Sequence, residues 1–225
     1  MTRSGIPRAH VDASLLDGDG DGDGDGDGSG AAGARSLALP DAALHRFTRV
    51  LRLKDGADIE LFDGKKRVAR GRLRGHELVD VEIVDVVDAL PPLVVAQAMT
   101  KTDKLELVVK KGTELGASRF VLVDTARAQV HVDGERADRK VDRLRRVAED
   151  AARQSLRAGV PEIAGPVSMT ALVDEARAFA GVCVVGVVGA TGPLSDVLAA
   201  RREQVGRDGV LIVVGPEGGL DDAEV

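Results

Sequence analysis

Two glycine-rich turns follow apolar runs in the C-terminal half of the chain, and they carry its clearest chemical signal. The first covers residues 186–192 and includes Gly189, and the second is Gly215-Pro216-Glu217-Gly218-Gly219. Glycine tolerates positive φ angles and lets the backbone approach a ligand closely, so such turns can present N–H and C=O groups to an adenine edge or a ribose. The alternative is an ordinary strand-to-helix turn, with Asp221 and Asp222 capping the next helix.

Several other kinds of site are disfavoured by the sequence pattern. Neither glycine turn has the phosphate-cradling Gly-x-x-x-x-Gly-Lys-Ser/Thr pattern or the Gly-x-Gly-x-x-Gly pattern. The single cysteine, Cys183, excludes a multi-cysteine zinc site, and its apolar surroundings predict a core position. The Asp-Gly repeat 17–28 resembles the opening of an EF-hand loop but has Gly where the twelfth residue should be Glu. We therefore expect a disordered segment there and no metal site.

Charge and composition limit the kinds of partner. Six Asp residues between Asp17 and Asp27 account for the net charge of −6. Residues 35–75 hold 11 Lys or Arg against 5 Asp or Glu, and residues 101–157 hold 14 against 10. Such local positive fields suit a polyanion, with a solvated basic face as the alternative. Aromatic residues make up only 2% of the chain, so RNA would be bound through Arg, Lys and shape rather than by base stacking.

The chain shows no pattern typical of membrane insertion or secretion. No apolar run approaches the length of a membrane span, and the N-terminus lacks the apolar segment of a signal peptide. A single cysteine is also typical of a reducing compartment. We therefore expect a cytoplasmic protein that does not bind membranes.

The elements that must position these residues fall into two predicted domains. After an N-terminal arm of residues 1–34, residues 35–89 contain short strands separated by turn signals, which predicts a small β-rich domain. One helix is expected from Asp41, because apolar residues recur there at three- and four-residue steps. That apolar face would consist of Leu44, Phe47, Val50 and Leu51.

Residues 92–225 alternate strand and helix, which predicts an α/β domain. The runs 182–188 and 210–214 are continuously apolar, as in parallel strands buried on both faces. Helices are expected from Asp103, from residue 136 to 157, and after Ser168, with Asp103 and Ser168 as N-caps. Ligands of such sheets bind beyond the carboxyl ends of the strands, where both glycine turns would lie.

Taken together, the ordered chain resembles the bacterial 16S rRNA uracil-N3 methyltransferases of the SPOUT (trefoil-knot) superfamily. Segments that match this family occur in the family's order. They are Ile6-Pro7-Arg8, His45 to Arg52, Leu61-Phe62-Asp63-Gly64, Gln97 to Glu106, Thr113-Glu114-Leu115-Gly116, Gln154 to Arg157, Val160-Pro161-Glu162 and Gly215 to Gly219. Each segment is short, and the ordered set is what carries the resemblance.

The resemblance implies a fold and an activity. The N-terminal domain would be a PUA-like RNA-binding β-barrel, and the C-terminal domain a SPOUT α/β knot that holds S-adenosyl-L-methionine and forms a homodimer. The reaction implied is methylation of N3 of a uridine in 16S rRNA of the small ribosomal subunit. Uracil N3 carries a proton that must leave before N3 can attack a methyl group, so the site needs a proton acceptor or a charge stabiliser.

Roles are carried over to matching residues. Catalysis is expected from Glu114 and Arg127, and methyl-donor binding from Gly189 and the turn Gly215 to Gly219. RNA contacts are expected from Arg8, Arg46, Arg49, Arg52, Lys101, Lys104 and Arg157. For the arginines the alternative is a solvated surface, and for Glu114 it is an i,i+4 ion pair with Lys110.

The chain departs from the family pattern in four places, one of which is Thr125-Ala126-Arg127, where the family has Ser-Glu-Arg. The Asp-Gly tract is an insertion, and Arg153-Gln154-Ser155-Leu156-Arg157 replaces the family's Glu-Gln-x-Gly-Arg. The family's later Leu-Gly-x-Arg-x-Leu-Arg-x-Glu-Thr-Ala motif does not occur before Val225. We therefore expect a C-terminally truncated transferase domain with an incomplete knot. The alternative function is a non-catalytic RNA- or ribosome-binding protein.

Overall fold

A computed structural model describes residues 5–17, 35–86, 90–128, 130–190 and 192–224 of the chain. These residues divide between two compact units, residues 1–87 and residues 88–225. The prediction that the Asp-Gly repeat is disordered concerns residues that lie mostly outside the described ones.

The first unit is built on a five-stranded sheet. Its strands are β1 (Arg8–His10), β2 (Leu37–Ala38), β3 (Asp58–Phe62), β4 (Arg67–Arg74) and β5 (Glu77–Asp85). They lie in the order β1-β3-β4-β5-β2, with β1 parallel to β3 and the other pairs antiparallel. The predicted small β-rich domain is confirmed, and its first strand comes from the N-terminal arm.

A β-bulge bends this sheet in the middle of β4. The register with β5 shifts between Arg70 and Arg72. A bulge inserts one residue and increases the local twist, which curls the sheet around its core. Gly71 sits at the shift, where an added Cβ would collide with the carbonyl oxygen of Val79. Only glycine therefore allows β4 and β5 to approach this closely.

The helix that follows β2 changes type within its length. A short helix, α1 (Ser14–Asp17), lies earlier in the chain. After Pro40, the helix that follows β2 begins as α2 (Asp41–His45) and continues as a π-helical turn, Arg46–Val50. Phe47 is buried as predicted, but Val50 and Leu51 are exposed, which corrects the predicted apolar face. The π turn adds a residue per turn, so it rotates the following side chains away from the core.

The second unit contains a parallel sheet of five strands. They are β6 (Leu93–Ala98), β7 (Arg119–Asp124), β8 (Glu162–Ser168), β9 (Val182–Gly186) and β10 (Val210–Val214), in the order β8-β7-β6-β10-β9. All four pairings are parallel, which confirms the predicted α/β class. Strand β8 was not predicted, because Gly165 and Pro166 interrupt its apolar pattern.

Helices cover both faces of this sheet. They are α3 (Thr102–Leu115), α4 (Gly134–Gln154), α5 (Met169–Ala178), α6 (Leu194–Ala200) and α7 (Arg202–Asp208). One buried cluster joins α3 and α4 to the sheet, and a second contains Leu172 of α5. Ser168 caps α5 as predicted by accepting from Ala171 N. Asp103 is wrong as the cap of α3, because Lys101 occupies that position and Asp103 lies in the first turn.

Strand β9 is less buried than its apolar sequence predicts. It lies at the edge of the sheet and, among the described strands, pairs with β10. Cys183 and Val185 are exposed, so the prediction that Cys183 is a core residue is wrong. The apolar run reflects β-propensity as well as burial, and a strand at an edge can expose one face.

The core between α3, α4 and the sheet offers a test of the fold. Leu144 of α4 is fully buried there, so Leu144→Ala should lower the free energy of unfolding by about 2–5 kcal/mol. Leu107→Ala is the matched control, since Leu107 is 57% exposed on α3. Urea unfolding followed by circular dichroism suits a chain without Trp. Equal losses in both variants would contradict the core described above.

Candidate functional site

The candidate site of the second unit lies at the carboxyl edge of its sheet, where the strands end. From β6 the chain proceeds outward through β7 and β8 on one side, whereas β10 and β9 lie on the other side. The strand order thus reverses between β6 and β10. In open α/β sheets this reversal leaves a crevice at the carboxyl ends of the strands, where ligands bind. The turn from Gly215 to Gly219 follows β10 directly, at this crevice.

Glu217 ties that turn to the neighbouring strand. Thr100, just after β6, donates its hydroxyl to Glu217 Oε1 over 2.6 Å, and Lys104 Nζ donates to the same oxygen over 2.7 Å. The hydrogen bond from Lys104, followed by the one from Thr100, lowers the pKa of Glu217 to about 2. Glu217 is therefore an anion at neutral pH, and it acts as an anchor rather than as a proton acceptor.

Arg127 holds the same turn from the β7 side. Its Nη1 donates to the carbonyl oxygens of Gly218 and Leu220 over 3.3 and 3.1 Å, and its Nη2 to Asp221 Oδ2 over 3.4 Å. Glu224 adds a second link, because one of its oxygens accepts from Ala126 N and the other from Asp221 N. The glycine turn is thus fixed to both β6 and β7 by charged hydrogen bonds, which are stronger than neutral ones.

The fixed turn leaves polar groups and apolar surface for a ligand. Gly219 has a φ of +74°, and the space where a side chain would stand is open; the same holds for Gly189 at +84°. Val188, beside Gly189, is 94% exposed. Thr125 Oγ1 is buried and has no hydrogen-bond partner among the described residues. A buried hydroxyl without a partner is costly, which suggests that a bound molecule completes it.

The residues that follow the glycine turn continue as turns. Residues 222–224 have this conformation, and Asp221 Oδ1 accepts from Ala223 N within them.

Glu114 and Arg157 lie at the other edge of the sheet. Helix α3 begins beyond β6 at the carboxyl edge and ends at the amino edge, where Ser118 N donates to Leu93 O at the start of β6. Arg157 Nε donates to the Glu114 carbonyl there. The carboxylate of Glu114 pairs with Lys111, not with Lys110 as predicted. Within one copy of the chain, Glu114 and Arg127 therefore do not form one catalytic site.

The expected RNA-binding residues of the first unit differ in exposure. Arg49 and Arg52 are exposed, while Arg46 is half-buried and donates its Nε to Arg8 O. Arg8 is only 4% exposed, lies 2.6 Å from Glu60 and covers the ring of Phe62. The role of Arg8 in RNA binding is thus corrected, because its charge is buried and already paired.

In the second unit, Lys101 is exposed at the start of α3, and Lys104 is engaged by Glu217. Sequence reasoning missed Thr100, Thr125 and the pair formed by Asp124 and His131. The sequence could have pointed to these residues only through their positions near the ends of β6 and β7, because isolated Thr, Asp and His residues form no recognisable motif.

Among the described residues, no helix is long and apolar enough to cross a membrane. In the same part of the chain, no three His, Cys, Asp or Glu side chains are grouped so that they could hold a metal ion.

The anchor at Glu217 can be tested by titration. Lys104→Met should raise the pKa of Glu217 from about 2 toward its ordinary value, because the largest cause of the lowering is the Lys104 hydrogen bond. Stability from this anchor is present above the unfolded-state pKa and is lost as the pH falls through the folded-state pKa. Carboxyl-carbon NMR titration measures the change. Lys110→Met, on the same helix, should leave Glu217 unaltered; an equal shift there would rule out the specific contact.

Comparisons with known proteins agree with this geometry. The sequence profile described as an RNA methyltransferase domain matches residues 88–225, and the one described as an RNA methyltransferase PUA domain matches residues 39–84. Ribosomal RNA small subunit methyltransferase E of Mycobacterium bovis is 35% identical over 86% of this chain and 74% of its own length. The Bacillus subtilis protein of that name is 31% identical over 85% of this chain and 78% of its own length.

A solved structure shows the same fold. The Neisseria gonorrhoeae ribosomal RNA small subunit methyltransferase E, crystallised with S-adenosyl methionine, superposes with a TM-score of 0.72. The two sequences are 23% identical, and the superposition covers 98% of this chain and 83% of the Neisseria chain. The extent of the profile match and the identity to the curated relatives establish the family. The chain belongs to the RNA methyltransferases that carry a PUA domain and include ribosomal RNA small subunit methyltransferase E.

Proposed function

We propose that this chain uses S-adenosyl-L-methionine to methylate N3 of a uridine in 16S rRNA. The observation that carries the proposal is the glycine turn Gly215 to Gly219, anchored through Glu217 at the crevice between β6 and β10. The family supports the reaction class, and the names of the curated relatives support ribosomal RNA of the small subunit as the substrate.

The residues around the crevice fit the methyl donor. Backbone groups of Gly215, Pro216, Gly218 and Gly219 would hold its polar parts, with Gly189 on the neighbouring turn and Thr125 Oγ1 as a further hydrogen-bonding group. When bound, the donor supplies an electrophilic methyl carbon attached to sulfur. Arg127 and Glu217 would act on the turn rather than on the methyl group, because both are already engaged with it.

RNA would meet the exposed cations of each unit. In the first unit these are Arg49 and Arg52, with Arg46 partly exposed beside them. In the second unit Lys101 stands at the carboxyl edge. Phosphate contacts of this kind provide affinity and position rather than sequence selection. Base recognition would then fall to the crevice, where the target uridine must reach the methyl group.

A second copy of the chain would complete the assembly. The edge strand β9 and the segment after it expose Val185, Val187, Val188, Leu194 and Val197. Apolar side chains in such number are typical of a surface that another protein surface covers. A homodimer and a knotted donor cleft are predictions from the family resemblance, and a cytoplasmic location is a prediction from the sequence pattern.

Calorimetry and an RNA assay test the proposed function. The chain should bind S-adenosyl-L-methionine and transfer a labelled methyl group to 16S rRNA or to small subunits, with N3-methyluridine as the product after nuclease digestion. Binding without methylation at N3 would overturn the substrate assignment. RNA binding without donor binding would favour the alternative, a non-catalytic RNA- or ribosome-binding protein.

The glycine turn should be sensitive to a single side chain. Gly219→Val forces a branched residue into a left-handed conformation with φ near +74° and places it over the turn. Such strain costs about 1–3 kcal/mol, so we expect donor affinity to fall by about tenfold or more. Gly206→Ala, in helix α7 with open space around it, is the matched control. Unchanged affinity in Gly219→Val would exclude this turn from the donor site.

The RNA-binding surface can be tested through its salt dependence. Arg49→Ala and Arg52→Ala should each weaken binding of unrelated RNA sequences alike and reduce the slope of log affinity against log salt by about 1. Arg177→Ala removes the same charge from helix α5, where Arg177 faces Asp174, and should leave the slope unaltered. Fluorescence anisotropy at several salt concentrations measures the slope. Similar slopes for all three variants would contradict the proposed surface.

A further inference from the structure

Asp124 and His131 form a pair at the carboxyl edge of β7. Asp124 is the last residue of that strand, and His131 lies on the loop that leads to α4. Asp124 Oδ1 and His131 Nδ1 are 2.6 Å apart. Both side chains are partly exposed, at 46% for Asp124 and 59% for His131, so the pair is open to an approaching molecule.

The pair fixes which imidazole nitrogen can accept a proton. An ionised carboxylate only accepts hydrogen bonds, so Nδ1 of a neutral His131 carries the hydrogen that it donates to Asp124. Nε2 then has a free lone pair on the side of the ring away from Asp124. A carboxylate that orients an imidazole in this manner is a recurring arrangement for general-base catalysis.

The loop that carries His131 also belongs to the donor crevice. It begins with Thr125, whose buried hydroxyl has no partner among the described residues, and it includes Arg127, which contacts the glycine turn. Asp124, Thr125 and Arg127 thus follow one another at the end of the strand next to β6. A uridine placed against the glycine turn would lie at the same sheet edge as the imidazole.

Several other charged groups at this edge are already engaged. Glu217 is bound by Thr100 and Lys104, and Asp221 accepts from Arg127. Both oxygens of Glu224 accept backbone N–H groups. From α4, Lys140 donates to the carbonyl of Thr100. Among the described residues of this edge, His131 is the side chain that is oriented by a carboxylate through one ring nitrogen and keeps a lone pair on the other.

We propose that His131 is the proton acceptor of the methyl transfer and that Asp124 positions it. The proposal rests on the proposed function and adds a catalytic residue to it. Uracil N3 gives its proton to Nε2 of His131 and its electron pair to the methyl carbon, whose bond to sulfur breaks with both electrons left on sulfur. The imidazolium then returns the proton to water. Asp124 stabilises the positive charge that forms on the ring.

The tautomer of His131 is the first test, and it does not depend on turnover. Nitrogen-15 NMR of the imidazole in the whole chain should show hydrogen on Nδ1. In Asp124→Asn the amide can donate to Nδ1, so hydrogen should move toward Nε2. Uridine-containing 16S rRNA fragments should shift the Nε2 resonance in the wild type. An Nε2–H tautomer in the wild type, or no response to RNA, would overturn the role of His131.

The rate of methyl transfer is the second test. His131→Gln should lower kcat by about 100-fold or more with little change in KM, the range expected for the loss of a general base. His76→Gln, in the first unit, is the matched control. Unaltered kcat in His131→Gln would overturn this role alone, whereas a wild type that transfers no methyl group would overturn the proposed function and this role with it.

Discussion

The carboxylate of Glu217 is the contact on which the functional edge of the second unit depends. Two segments far apart in sequence meet there, since Thr100 and Lys104 lie between the end of β6 and the first turns of α3, whereas Glu217 follows β10. Arg127 adds a third segment by donating to the carbonyl oxygens of the same turn. A glycine-rich backbone has little conformational preference of its own, so its shape is set by these charged contacts.

The hydrogen bonds to Glu217 also decide whether this carboxylate can take up a proton or only hold the turn. An acid with a pKa near 2 cannot take up a proton at neutral pH, however close it lies to a substrate. Glu217 is therefore suited to hold the turn, and Arg127 is suited to the same task because its donors point at carbonyl oxygens. In the proposed reaction the imidazole of His131 has the complementary property, a lone pair that can accept a proton.

Sequence patterns predicted the two-part architecture and the place of the glycine turn, because apolar periodicity and glycine spacing are local signals. They could not predict which side chains converge. Glu114 and Arg127 are 13 residues apart in sequence but lie at opposite edges of the sheet, because β7 crosses the length of the sheet between them. Arg8 looked like a surface cation, and only the fold reveals Glu60 and Phe62 beneath it.

The π-helical turn Arg46–Val50 has a geometric effect beyond its own length. One additional residue per turn rotates every later side chain of the helix by about 100° relative to an uninterrupted α-helix. Val50 and Leu51 thereby share the solvent side with Arg49 and Arg52, which gives that surface aliphatic and cationic patches side by side. Two residues whose spacing had assigned them to the core thus add apolar area to the surface of this unit.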